Sequence, residues 1–100
     1  MADHKTVTVQ DTYVQLNTSA ASGALSIYPL DSPVWLAPSA STTAPTSEAG
    51  AILIGPTSQG SGVINQTLAQ LWPGFTSPAY VFARVASGGA IGARVAVSIA

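Results

Sequence analysis

Apolar and polar residues alternate with a period of two in several short stretches of this chain, and helical spacing is confined to one. A half-buried β-strand needs that alternation, because successive side chains leave the backbone on opposite faces. Residues 24–38, ALSIYPLDSPVWLAP, show it most densely. Leu25 and Ile27 point one way, Ser26 and Tyr28 the other. After a tight turn at Leu30, Asp31 and Ser32, Val34 and Leu36 share a face with Trp35 opposite. Pro29 and Pro33 bracket the turn, where a fixed φ and a missing N–H do least harm. Two strands are predicted here, 24–29 and 33–37.

The same reading applies along the rest of the chain. Val7 and Val9 alternate with Thr6, Thr8 and Gln10, and Val14 and Leu16 with Tyr13 and Gln15. Asp11 and Thr12 between them make either a β-bulge in one long strand or a tight kink. Residues 17–23 carry turn chemistry. Residues 38–50, PSASTTAPTSEAG, have no period and predict an exposed connection, either functional or simply flexible. Residues 51–54 are apolar on both faces, which implies cover on both sides. After a turn at 57–62, Ile64, Leu68, Leu71 and Trp72 fall on one helical face. Val63, Thr67 and Leu71 also fit an extended strand, but a short helical turn ending before Pro73 and Gly74 is the expectation. Residues 79–86 set Val81, Ala83 and Val85 against Tyr80, Phe82 and Arg84. A Gly-rich connection at 87–91 leads to 92–99, with Val95, Val97 and Ile99 inward and Arg94, Ala96 and Ser98 outward. Seven or eight short strands separated by turn signals predict an all-β fold, a small antiparallel β-sandwich or jelly roll, with one short helix near 64–72. Residues 1–12 are expected to be an N-terminal arm or a first edge strand, and residues 13–100 the β-sandwich domain. An arm would tolerate removal of residues 2–10 without loss of the folded domain.

Composition adds one decisive feature. Charged residues make up 7% of the chain, against roughly 25% in ordinary soluble domains. Ser, Thr, Ala, Gly and Gln take their place, and no apolar run approaches the length of a membrane helix. With a net charge of −1, such a surface repels its neighbours weakly. It is either a neutral β-protein surface or one largely consumed by contacts with other subunits, and the second reading is favoured. Without Cys, disulfides and thiolate metal sites are excluded. The opening MADHKTVTVQ has no apolar h-region, so synthesis in a cytosol without a signal peptide is expected.

Candidate chemistry is sparse. His4 sits in a polar stretch beside Asp3 and Lys5, where solvation explains it better than catalysis. Asp3, Asp11, Asp31 and Glu48 fall in tails, turns or loops, where acids bond nearby backbone amides. The serines have neither a nucleophile elbow nor a base, and the Gly-rich pieces lack the lysine and the helix of a phosphate loop. No catalytic, cofactor-binding or metal residue is assigned, and an enzyme is not expected. Two outward arginines in a slightly acidic chain do not make a nucleic-acid footprint. Arg84 and Arg94 could lie side by side if their strands pair. They are either a solvated face or contacts to acidic groups of another subunit. Tyr13, Tyr28, Trp35, Tyr80 and Phe82 sit opposite the aliphatic positions. They form an interface core, or the second half of the sandwich core if inside and outside are inverted. Trp72 is read as a plug closing one end. Interface candidates are therefore Asp3, Lys5, Trp35, Glu48, Tyr80, Phe82, Arg84 and Arg94.

The succession SPVWLAPSASTTAPT, AGAILIGP, LAQLWPG, AYVFAR and VAVSIA resembles small virion structural proteins of tailed bacteriophages, carried by residues 32–36, 44–46, 49–53, 80–84 and 95–99. The resemblance implies a non-enzymatic particle component, a capsid decoration or cement protein. It would sit on the major capsid protein as a homo-oligomer, a trimer by preference, in the virion, with no cofactor, nucleic acid or membrane. The alternatives are a tail or fibre-attachment component, or a carbohydrate- or ligand-binding β-module using Trp35 or Trp72 as a stacking platform.

Overall fold

The computed structural model describes residues 3–21, 23–45, 51–55, 63–86 and 92–99. Among them lie eight strands: β1 (Asp3–Val9), β2 (Val14–Gln15), β3 (Leu25–Pro29), β4 (Val34–Ser39), β5 (Ile52–Ile54), β6 (Val63–Gln66), β7 (Tyr80–Val85) and β8 (Ala93–Ile99). One helical turn, α1 (Leu68–Leu71), follows β6. The strands make two four-stranded sheets, ordered β1-β8-β3-β6 and β2-β7-β4-β5, and every pairing is antiparallel. The first strand pairs with the eighth, the second with the seventh, the third with the sixth and the fourth with the fifth. That nesting is one long hairpin rolled up on itself, the jelly-roll form of the sandwich.

The inward residues of both sheets form one core. Val9, Leu25, Ile27, Val95, Val97 and Ile99 come from the first sheet, and Val34, Leu36, Ile54, Val81, Ala83 and Val85 from the second. Leu68 and Trp72 join the same cluster, so Trp72 plugs the core as expected. Burial in β8 runs buried, exposed, buried, half-buried through its length, which is the period-two pattern realised.

Several local expectations change once the sheets are assigned. Residues 30–32 do not close a hairpin: β3 and β4 lie in different sheets, and this turn is a corner between them. Asp11 and Thr12 likewise belong to a crossing, not to a bulge within one strand. The carbonyl of Val9 accepts from the N–H of Gly92 next to β8, while that of Gln10 accepts from Val85 in β7. The backbone thus changes sheets between two consecutive residues. Pro38 belongs to β4, buried and in register with Val81, so the long connection begins after Ser39.

The ambiguous stretch 63–72 splits into strand and helix at Thr67. Its side chain accepts from the Gln70 N–H while the Gln70 side chain accepts from the Thr67 N–H at 2.7 Å, a complete capping box that satisfies two otherwise orphan donors. Pro73 cannot extend the helix. The expected turns at 57–62 and 87–91 lie outside the described residues. The stretch expected as an arm or a first edge strand is β1, at the edge of the first sheet and in register with β8 from Asp3 opposite Ile99 to Val9 opposite Ala93.

Candidate interaction surfaces

A two-layer sandwich leaves two outer faces, and register decides what each displays. On the second sheet, Trp35 lies between Arg84 of β7 and Leu53 of β5, Ala37 lies opposite Phe82, and Ser39 opposite Tyr80. Gln15 of β2 takes the other side of Phe82. The Arg84 guanidinium sits 5.6 Å from the centre of the Tyr13 ring, a cation–π arrangement worth about 0.5–1 kcal/mol at an exposed site. Arg84, Trp35 and Leu53 therefore form one transverse row across β7, β4 and β5, and Tyr13, the residue before β2, extends it.

Burial along this face is uneven. Phe82 is 3% exposed and Ala37 1%, yet neither belongs to the core cluster between the sheets. Phe82 takes the outward position expected of it, but it is buried within its own chain and is not available to a partner. Trp35, Tyr80 and Arg84 are half-buried. Leu53, at 51%, is the most exposed large apolar residue among those described.

The outer face of the first sheet is built from smaller side chains. Ala96 lies between Thr6 and Tyr28, Ser98 between His4 and Ser26, and Arg94 opposite Thr8. Where Ala96 leaves a gap, Lys5, Thr6, Tyr28, Ala96, Val97 and Ser98 line an open depression of about 240 Å³. That is smaller than the ~300–1,000 Å³ of ordinary ligand sites, and no cluster of ionisable groups converges on it.

Arg94 does not approach Arg84, because β7 and β8 belong to different sheets. Its guanidinium instead meets Asp31 at 3.0 and 3.1 Å, and its backbone N–H donates to the same carboxylate at 2.8 Å. These bonds hold the Asp31 carboxyl down, from an ordinary 3.8 to about 2, and raise the affinity of Arg94 for its proton. The clasp faces solvent, and its role is to fasten the corner after β3 to the start of β8.

Of the other interface candidates, Asp3 opens β1 and Lys5 sits half-buried in the same edge strand. Glu48 lies outside the described residues. Sequence reasoning missed Asn17, a buried polar residue at 1% exposure. Its carbonyl oxygen accepts from the Val81 N–H, and its amide donates to Ser19 and Ala79 carbonyls. An Asn directly after an alternating apolar stretch is the only local signal, and turn chemistry explains it equally well. Among the described residues, no group of His, Asp and Glu could hold a metal ion, and no helix is long and apolar enough to cross a membrane. No protein-family model, curated protein or solved structure matches the chain.

Proposed function

We propose that this chain is a non-enzymatic structural component of a bacteriophage particle, a decoration or cement protein that binds the assembled shell as a homo-oligomer. The observation that carries the reading is the outer face of the second sheet. It presents Trp35, Tyr80 and Leu53 with Arg84 as its single charged position among the described residues. Aromatic and Arg side chains with few other charges are the composition of an interface centre. The low overall charge supports the same reading, since a protein that works while attached to a shell needs close-fitting neutral surfaces more than solubility as a free monomer. The jelly roll is compatible with capsid proteins but is shared by lectins and cupins, so fold alone assigns nothing.

On this proposal the partner is the major capsid protein, the site of action is the virion, and no cofactor or nucleic acid takes part. A tail or fibre-attachment position is the neighbouring possibility. The carbohydrate module draws less support, because Trp72 is buried in the core and leaves only half-buried Trp35 as a platform.

The test is occupancy on particles. Purified particles from the source phage are expected to contain the chain in many copies, and Trp35→Ser is expected to lower its occupancy on shells stripped and re-decorated in vitro. Absence from the particles, or a variant that binds as well as the parent, would refute the proposal.

A further inference from the structure

Four strands end the two sheets: β1 and β6 in the first, β2 and β5 in the second. An edge strand offers unpaired backbone N–H and C=O groups to any chain that can align with it, and proteins ordinarily blunt such edges. Three of the four are blunted by recognisable means. β2 is two residues long. β1 carries Lys5, in register with Val97, and a lysine on an edge strand opposes addition of a further strand. β6 meets β3 with a register shift between Leu25 and Ile27, an irregularity of the kind that blunts an edge.

β5, three residues long, is short as well, but among the described residues it carries no charge, proline or register shift. Its sequence is Ile-Leu-Ile, and such residues favour extended pairing. Leu53 at its centre is half exposed, while Ile54 on the other face is buried in the core. Trp35 lies beside Leu53 on the outer face.

We propose that β5 joins two copies of this chain, edge to edge, as antiparallel strands about a two-fold axis through Leu53. The occupant is a second copy because the strand is complementary to itself. Turned about its central residue, it sets Leu53 against the partner's Leu53 and Ile52 against the partner's Ile54. No like charges meet anywhere along the strand. Ile52 and Ile54 then continue the core from one sandwich to the next. Trp35, Leu53 and their two symmetry mates make a continuous apolar row on the outer face, and the second sheet becomes eight-stranded. A two-fold contact of this kind closes on itself and gives a dimer in place of the trimer that the phage resemblance implies. The molecule measures 31 × 26 × 20 Å, so its edge presents less than the roughly 800 Å² per partner of a standard interface. The dimer is therefore expected to dissociate on dilution. The inference stands apart from the particle proposal: a chain that dimerises but binds no shell sinks only the latter.

The natural absence of Cys makes the contact directly testable. Residues directly opposite each other in an antiparallel pair have Cα atoms about 4.5–5.5 Å apart, within the range a disulfide spans. Under mild oxidation, Leu53→Cys is expected to give disulfide-linked dimer several-fold faster than Leu30→Cys or Phe75→Cys, both at exposed positions elsewhere. Sedimentation of the parent chain is expected to show a mass rising towards a dimer with concentration. Leu53→Lys should hold the mass at monomer while keeping the β-sheet circular dichroism spectrum. If Leu53→Lys loses that spectrum, the cross-linking rates decide alone. Equal cross-linking at the three positions, a concentration-independent monomer, or a trimer would each overturn the proposal.

Discussion

Arg94, the second residue of β8, holds Asp31 at the corner after β3 through three hydrogen bonds, across 63 positions of sequence. The Leu30 N–H also donates to the Arg94 carbonyl, so backbone and side chains fasten the same point. The chain leaves the first sheet there and enters the second, and the clasp fixes where it does so.

The clasp gives a prediction in pH. The Asp31 carboxyl is held at about 2 in the folded chain against 3.8, so folding favours its ionised form. The stabilisation is complete above pH 3.8 and is lost as pH falls towards 2. Because the pair faces solvent, the effect is small and weakens further with salt. Denaturant midpoints of the parent chain should fall faster over this interval than those of Asp31→Asn. Parallel profiles would show that the clasp contributes nothing.

Asn17 is expected to matter more. Its side chain accepts from the buried Val81 N–H in β7 and donates to the Ala79 carbonyl beside the Ala21 N–H, and leaving a buried backbone group such as the Val81 N–H without its partner costs about 1–3 kcal/mol. Asn17→Ala should lower the unfolding free energy by about that amount, measured by urea denaturation with an unchanged slope. A neutral result would mean that water replaces the amide.

Phe82 separates burial from surface role. Although it lies on the outer face, it is buried, and truncating a large buried aromatic costs about 3–5 kcal/mol. Phe82→Ala is expected to destabilise the isolated chain by an amount in that range, visible as a lowered melting temperature at concentrations where the chain is monomeric. Unchanged melting with impaired association would assign Phe82 to an interface after all.

Removing residues 2–10 should abolish folding, not merely detach an arm. The deletion takes away the whole of β1, its seven-residue ladder with β8, and fully buried Val9. Circular dichroism and amide exchange on the truncated chain check this. A folded, protected core would show that β8 tolerates becoming an edge.

Thr67→Ala removes one half of the capping box beneath Leu68 and Trp72. A lost N-cap of this type costs about 0.5–2 kcal/mol. Near-ultraviolet dichroism from Trp72 should weaken along with stability, and restoration by Thr67→Ser would tie the effect to the hydroxyl.

What the chain determines by itself is the alternation. Leu25 and Ile27, Val34 and Leu36, Val81 to Val85 and Val95 to Ile99 each declare a strand and its inner face, because only one face of a sandwich sheet can meet the core. An all-β antiparallel sandwich follows from the number and spacing of such stretches, and Trp72 in the core from its place on one short helical face. The partner of each strand was not legible. Hydrogen bonding between backbones is the same for any sequence, so nothing local shows that β3 and β4 part to different sheets or that Val9 and Gln10 bond to different strands. The pairing of Asp31 with Arg94, the burial of Phe82 on an outer face and the exposure of Leu53 on an edge all depend on that choice. These are properties of which strands lie side by side, and only the closed sandwich decides them.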